Sequence, residues 1–162
     1  LILLKLFCEL NQRKVRYLVV GGVAGVLHGN PRFTKDLDLF VDMSEANLKK
    51  LISAFNALEF TPRVPVKAED FISEENRSTW MREKNMLAFT FINPKNPFEN
   101  VDILLSSPVS FEDAYKEKKE FLSSEVKIPV VSKKNLIRMK EAAGRFQDLE
   151  DIKILKSLED TE

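Results

Sequence analysis

The chain has 162 residues, 44% of them hydrophobic and 31% charged, which is enough to bury one core and makes a single domain over 1–162 the default. Its 25 Lys plus Arg balance 25 Asp plus Glu, so no overall attraction to nucleic acid or to an anionic membrane is expected, and any basic site must be local. A lone cysteine, Cys8, excludes an internal disulfide framework and a cysteine-built zinc cluster, and fits a reducing, cytoplasmic setting.

The opening Leu1-Ile2-Leu3-Leu4 is apolar, but Lys5, Glu9 and Arg13 interrupt it far short of the ~20 residues a membrane span needs, so 1–13 predicts an amphipathic helix. Val15, Tyr17, Val19 and Val20 then predict a strand that stops at Gly21-Gly22. A short helix follows over 23–28, ended by Gly29, Asn30 and Pro31. The next strand spans 37–41, with Asp36, Asp38 and Phe40 on one face and Leu37, Leu39 and Val41 on the other.

Ser44 caps a helix whose Leu48, Leu51, Ile52, Phe55 and Leu58 form one buried stripe. The proline-bearing, charged stretch 61–85, with the lone Trp80, suits a loop with one or two short helices. Residues 86–92 and 98–105 read as an antiparallel strand pair joined by the loop 93–97. Ser110 and Asp113 form a capping-box pattern at a helix start, a strand follows over 126–131, and Ser132 opens C-terminal helices running over 132–160. Strands and helices mix without regular βαβ alternation, which predicts an α+β domain with a mixed sheet (core 15–131) flanked by helices.

Asp36 and Asp38 leave the same face of a strand, so their charges repel unless a cation sits between them, and hard oxygen ligands on a rigid strand suit Mg²⁺. Two solvated acids on an exposed face are the alternative reading of that spacing. Asp102, in Asn100-Val101-Asp102-Ile103-Leu104, is again an acid among apolar neighbours in a strand, where an unpaired charge is costly. If the two strands are adjacent, three carboxylates converge, and such a cluster can bind two metal ions. Gly21-Gly22 bares backbone N–H groups beside a helix start, a phosphate cradle or simply a turn.

Val20-Gly21-Gly22, then thirteen residues, then Asp36-Leu37-Asp38-Leu39, and finally Val101-Asp102-Ile103, together resemble the signature of the polymerase-β-like nucleotidyltransferase superfamily. Arg32-Phe33-Thr34-Lys35-Asp36 and Met139-Lys140-x-x-Ala143-Gly144-Arg145-x-x-Asp148 are similar to small bacterial and archaeal members related to the AbiEii-type toxin–antitoxin nucleotidyltransferases. The resemblance runs from about Tyr17 to Leu155 and implies a palm-like mixed sheet. It also implies transfer of a nucleoside monophosphate from an NTP to an acceptor hydroxyl with release of pyrophosphate. By matching position, Asp36, Asp38 and Asp102 become the catalytic and metal-holding acids, for two Mg²⁺ or Mn²⁺ ions, and Gly21 and Gly22 position the triphosphate. Lys140 and Arg145 become nucleotide-facing cations. One departure is Gly22, where many active members carry serine and its hydroxyl. The implied partners are an NTP, an acceptor that is a protein, tRNA or small molecule, and a partner protein of a toxin–antitoxin pair. The alternative function is a non-catalytic, antitoxin-like or regulatory module on the same fold, with a metal-dependent phosphohydrolase ranked below it.

Other residues carry two readings each. Arg145 pairs with Asp148 or faces the nucleotide; Lys140 is a solvated face or a ligand; Arg32, with Lys35, stands on the loop before the acids, where a cation meets phosphate, and Arg32 leans towards nucleotide binding. His28 reads as a helix-end cap rather than a catalyst, Trp80 as packing rather than base stacking, and Lys133, Lys134, Arg138 and Lys140 as a solvated basic face rather than a tRNA contact.

Overall fold

The computed structural model describes residues 2–158; the first residue of the predicted N-terminal helix and the final residues of the predicted 132–160 segment lie outside them. Seven strands form one open sheet in the order β3-β4-β5-β2-β1-β7-β6. The order, together with its mix of parallel and antiparallel neighbours, makes the fold α+β.

Helix α1 (Ile2–Gln12) buries Leu6, Phe7 and Leu10, the amphipathic stripe expected from its spacing. Strand β1 (Tyr17–Val20) is fully buried and runs straight into helix α2 (Gly21–Leu27). The two glycines therefore form the first turn of the helix rather than a turn before it. Strand β2 (Leu37–Val41) keeps the predicted bounds, with Leu37, Leu39 and Val41 buried. It lies antiparallel to β1, pairing Val20 with Asp38.

Ser44 accepts a hydrogen bond from the Asn47 N–H and opens α3 (Glu45–Ala57), which buries Leu48, Leu51, Ile52 and Phe55. The stretch to 85 holds the short β3 (Thr61–Pro62), a 3₁₀ turn over Ala68–Ile72, and α4 (Glu74–Lys84). Trp80 stacks on Phe89 with ring centroids 5.0 Å apart, so it is a packing residue, continuous with Phe71, Phe91 and Phe55. Strands β4 (Ala88–Ile92) and β5 (Val101–Leu104) pair antiparallel as expected. Strand β5 is shorter than predicted because the Asn93 and Asn96 side chains accept from the backbone N–H groups of Lys95, Asn96 and Phe98, turning the chain until Asn100.

Ser110 opens α5 (Phe111–Lys116) by accepting from the Asp113 N–H. Strand β6 (Lys119–Ser123), absent from the sequence reading, then forms a hairpin with β7 (Val126–Val130). Its two-residue loop, Ser124-Glu125, holds both residues at positive φ (48° and 67°), the twist that a tight hairpin needs. Ser132 caps α6 (Lys133–Ala143), and α7 (Phe146–Ser157) packs against it. His28 ends α2, but its ring does not cap that helix's carbonyls: Nε2 lies 2.7 Å from the Val131 carbonyl oxygen and the ring meets Phe121 edge-on. It ties α2 to the end of β7. No helix among the described residues is long and apolar enough to cross a membrane.

Candidate active site

Strand register brings the acids together. Strand β2 is flanked by β1 on one side and by parallel β5 on the other, and Asp38 is the register partner of Asp102. Adjacent strands are about 4.8 Å apart, so the two carboxylates emerge side by side from one face of the sheet. Asp36, just before β2, is exposed at the mouth of the same site. On the far side of β5, Thr90 of β4 donates its hydroxyl to Asp102 Oδ1, fixing that carboxylate.

Asp38 is under pressure from its surroundings. Burial, then the charges of Asp102 and Asp36, push its carboxyl from the ordinary 3.8 up to about 7, against the pull of Arg145 and Lys140. It stands directly beside Gly21, whose φ is +66° and where a Cβ would overlap Asp38 Oδ2. Glycine is therefore required at 21 twice over, by backbone and by space. A Cβ on Gly22 would come 2.7 Å from Thr34 Oγ1 and 3.0 Å from Arg32 Nη2. The place a serine side chain would take at 22 is filled by the Thr34 hydroxyl, a residue the sequence reading passed over.

Opposite the acids stand cations held by two aspartates of α7. Asp151, its side chain 1% exposed, accepts from Arg32 Nε (2.8 Å) and Nη2 (3.0 Å), Lys140 Nζ (2.8 Å), Gln147 Nε2 (3.0 Å) and Asn30 Nδ2 (3.1 Å). Burial pushes its carboxyl up, but the bonds from Lys140, Arg32 and Gln147 outweigh this and hold it at about 2. Lys140 is buried, not on a solvated face, and also lies 3.8 Å from Asp148. Lys134 and Arg138 of the basic run point outward, while Lys133 donates to the Leu158 carbonyl. Arg145 pairs with Asp148 (Nε to Oδ2, 2.7 Å) as one sequence reading has it, and that pairing raises its pKa; the side chain is still 78% exposed. Both readings of Arg145 are compatible with this geometry.

The result is a cavity of about 290 Å³ lined by Gly21, Gly22, Arg32, Asp36, Asp38, Asp102, Lys140 and Arg145, every site residue the sequence nominated, together with Thr34, Gln147 and Asp148. Sequence reasoning missed Asp151 and Gln147; the signal for Asp151 is its i,i+3 spacing from Asp148, which puts both on one face of a helix. Among the described residues no three His, Cys, Asp or Glu side chains are gathered so that together they could hold a metal ion, Asp36, Asp38 and Asp102 included. Asp38 beside Asp102, both hard oxygen donors with one carboxyl resisting ionisation, instead fits an ion held by one or two carboxylates that completes its shell from phosphate oxygens and water, the habit of Mg²⁺.

This fold recurs in solved nucleotidyltransferases. The chain resembles the lincosamide antibiotic adenylyltransferase LnuA in its lincomycin-bound form (19% identity, 93% of this chain and 91% of that one, TM-score 0.58). It also resembles ANT(2")-Ia in complex with adenylyl-2"-tobramycin (12% identity, 95% and 85%, TM-score 0.60) and an antigenic nucleotidyltransferase-like protein from Paracoccidioides brasiliensis (17% identity, 95% and 73%, TM-score 0.57). The chain belongs to the family described as "Nucleotidyltransferase of unknown function (DUF6036)", whose model matches residues 3–159. No curated protein matches it in sequence.

Proposed function

We propose that this nucleotidyltransferase moves a nucleoside monophosphate from an NTP to an acceptor hydroxyl. The observation that carries the reading is the pairing of Asp38 with Asp102 across β2 and β5, next to the glycine pair at the start of α2. In the reaction the acceptor oxygen bonds to the α-phosphorus as the bond from that phosphorus to the bridging oxygen breaks. Pyrophosphate leaves, and the hydroxyl proton passes to Asp102. A divalent ion, Mg²⁺ or Mn²⁺, for which Asp38 and Asp102 would supply the carboxylates and Asp36 a further negative charge at the mouth, would neutralise phosphate charge and lower the pKa of the acceptor hydroxyl.

The chain's own groups do the rest by position and charge. Gly21 and Gly22 let the helix start pack directly against Asp38 and Thr34, leaving its backbone N–H groups to the triphosphate. The Thr34 hydroxyl supplies the donor that Gly22 lacks. Arg145, the most exposed of the three cations, reaches phosphate oxygens, while Arg32 and Lys140 form a fixed positive wall braced by Asp151. The adenylyl transfer named for LnuA makes ATP the first nucleotide to try.

The test is calorimetric titration of the four common NTPs, with Mg²⁺ and with Mn²⁺, into wild type and Asp36→Asn/Asp38→Asn. Metal-dependent binding that disappears in the double variant is the expected result. No binding to wild type, with stable co-purification of a partner protein, would overturn it in favour of a regulatory module.

A further inference from the structure

A second cavity, of about 620 Å³, opens from the first and shares Gly21, Asp38, Asp102, Lys140, Arg145 and Asp148 with it. It runs between the end of β5 and α6. Leu104 lies two residues beyond Asp102 on β5, hence on the same face of the sheet about 7 Å further on. A molecule that presents a hydroxyl to Asp102 from this cavity lies over Leu104.

The chemistry of this extension differs from that of the carboxylate cavity. Beyond the residues the two share, no charged side chain lines it among the described residues; its walls include Leu87, Leu104, Pro108 and Met139, with the hydroxyls of Ser106 and Ser107. Leu87 is 77% exposed, an apolar side chain left without cover at the rim. A polycation would find, besides the reacting Asp38 and Asp102, Asp148 already paired with Arg145, and it would meet the positive charges of Lys140 and Arg145. A nucleic acid backbone would find among the described residues Lys140, pinned by Asp151, and Arg145, paired with Asp148, too few cations to replace its counterions. A drug-sized molecule with an apolar body matches both the volume and the lining.

We propose that this cavity is the acceptor site and that the acceptor is a small, uncharged molecule carrying its hydroxyl on an apolar skeleton. The inference deepens the transferase reading and rests on it. The bond balance is that given above: the acceptor gains a nucleoside monophosphate ester and loses its hydroxyl proton, and pyrophosphate departs.

The test uses saturation-transfer NMR on the intact chain with phenylbutanol, cyclohexylmethanol and octyl glucoside as neutral probes, and spermine and oligoadenylate as charged ones. Wild type is compared with Ala143→Trp, which places an indole in the cavity from an exposed position at the end of α6. MgATP titration of both proteins runs alongside. Expected are signals from the neutral alcohols that are lost in Ala143→Trp, with MgATP binding retained in both. MgATP binding with no alcohol signal, or with spermine or oligoadenylate signals that Ala143→Trp abolishes, overturns the acceptor inference and leaves the transferase reading standing. Alcohol binding without any NTP binding removes the transferase reading, and the acceptor role falls with it. Absence of binding by every probe overturns both.

Discussion

Replacing Asp38 by Asn should make the metal-free protein more stable in alkaline solution, the reverse of what losing a structural residue does. The Asp38 carboxyl is raised from 3.8 to about 7 by burial and by Asp102 and Asp36. The folded chain thus binds more protons than the unfolded one between those values, so its stability falls as pH rises through that window and stays reduced above about 7. At about 1.4 kcal/mol per tenfold change in proton affinity, the full penalty is ~4 kcal/mol, and ~2 kcal/mol once water in the open cavity is allowed for. Asn has the same shape and no charge. Urea unfolding in chelator should find Asp38→Asn more stable than wild type by ~2–4 kcal/mol near pH 8, an advantage that vanishes near pH 4. Mg²⁺ should then restore the wild type near pH 8 and leave the variant unchanged, because an ion that binds only the folded state adds its binding energy to stability. A difference between the two proteins that is the same at both pH values would refute the reasoning, since only a charge effect titrates.

Gly21→Ala should lose ~2–4 kcal/mol in urea unfolding, from its φ of +66° and the overlap with Asp38; a loss under about 0.5 kcal/mol would mean the helix start relaxes freely. Asp151→Ala strands the buried Lys140, which should cost ~3–5 kcal/mol by the same measurement, and a neutral outcome would show that Asp148 alone suffices as its partner. Thr34→Val should leave stability within ~0.5 kcal/mol but weaken NTP binding by about five- to tenfold in calorimetry; unchanged affinity would remove the hydroxyl from the phosphate site.

The legible parts of this molecule are those whose signals are local. Strand β2 keeps its predicted ends because Leu37, Leu39 and Val41 alternate with the acids. Ser44, Ser110 and Ser132 all cap the helices they were expected to open, each accepting from the N–H three residues on. Asp38 and Asp102, 64 positions apart, were linked only by resemblance, and the register shows why that spacing works. Strand β6 stayed hidden because it is an exposed edge with no apolar face, turned by Ser124 and Glu125 where glycine or asparagine would have announced the hairpin. Asp151 stayed hidden because its partner Arg32 is 119 residues away and a charged residue in a helix looks like solvent-facing surface until the fold buries it.

The charge inventory of the cavity shows why its two halves come from different kinds of element. Asp36, Asp38, Asp102, Asp148 and Asp151 set five carboxylates in or against it, facing, among the described residues, Arg32, Lys140 and Arg145. Two of those acids hold the three cations, which leaves one positive charge against the three acids on and beside β2 and β5, a net of two negative charges. Strands are suited to carrying them, because register sets the separation of Asp38 and Asp102 rigidly. Burial first, and then a repulsion that the acids cannot relieve by swinging apart, raise the Asp38 carboxyl. The cations ride on long side chains and would drift into solvent, but Asp151 pins Arg32 and Lys140 from behind while Asp148 holds Arg145 more loosely at the rim. A buried ion cluster of this kind adds little net stability over an apolar core. What it fixes is where positive charge stands relative to the acids, and a polyanion entering this cavity meets a repulsive floor unless divalent cations enter with it.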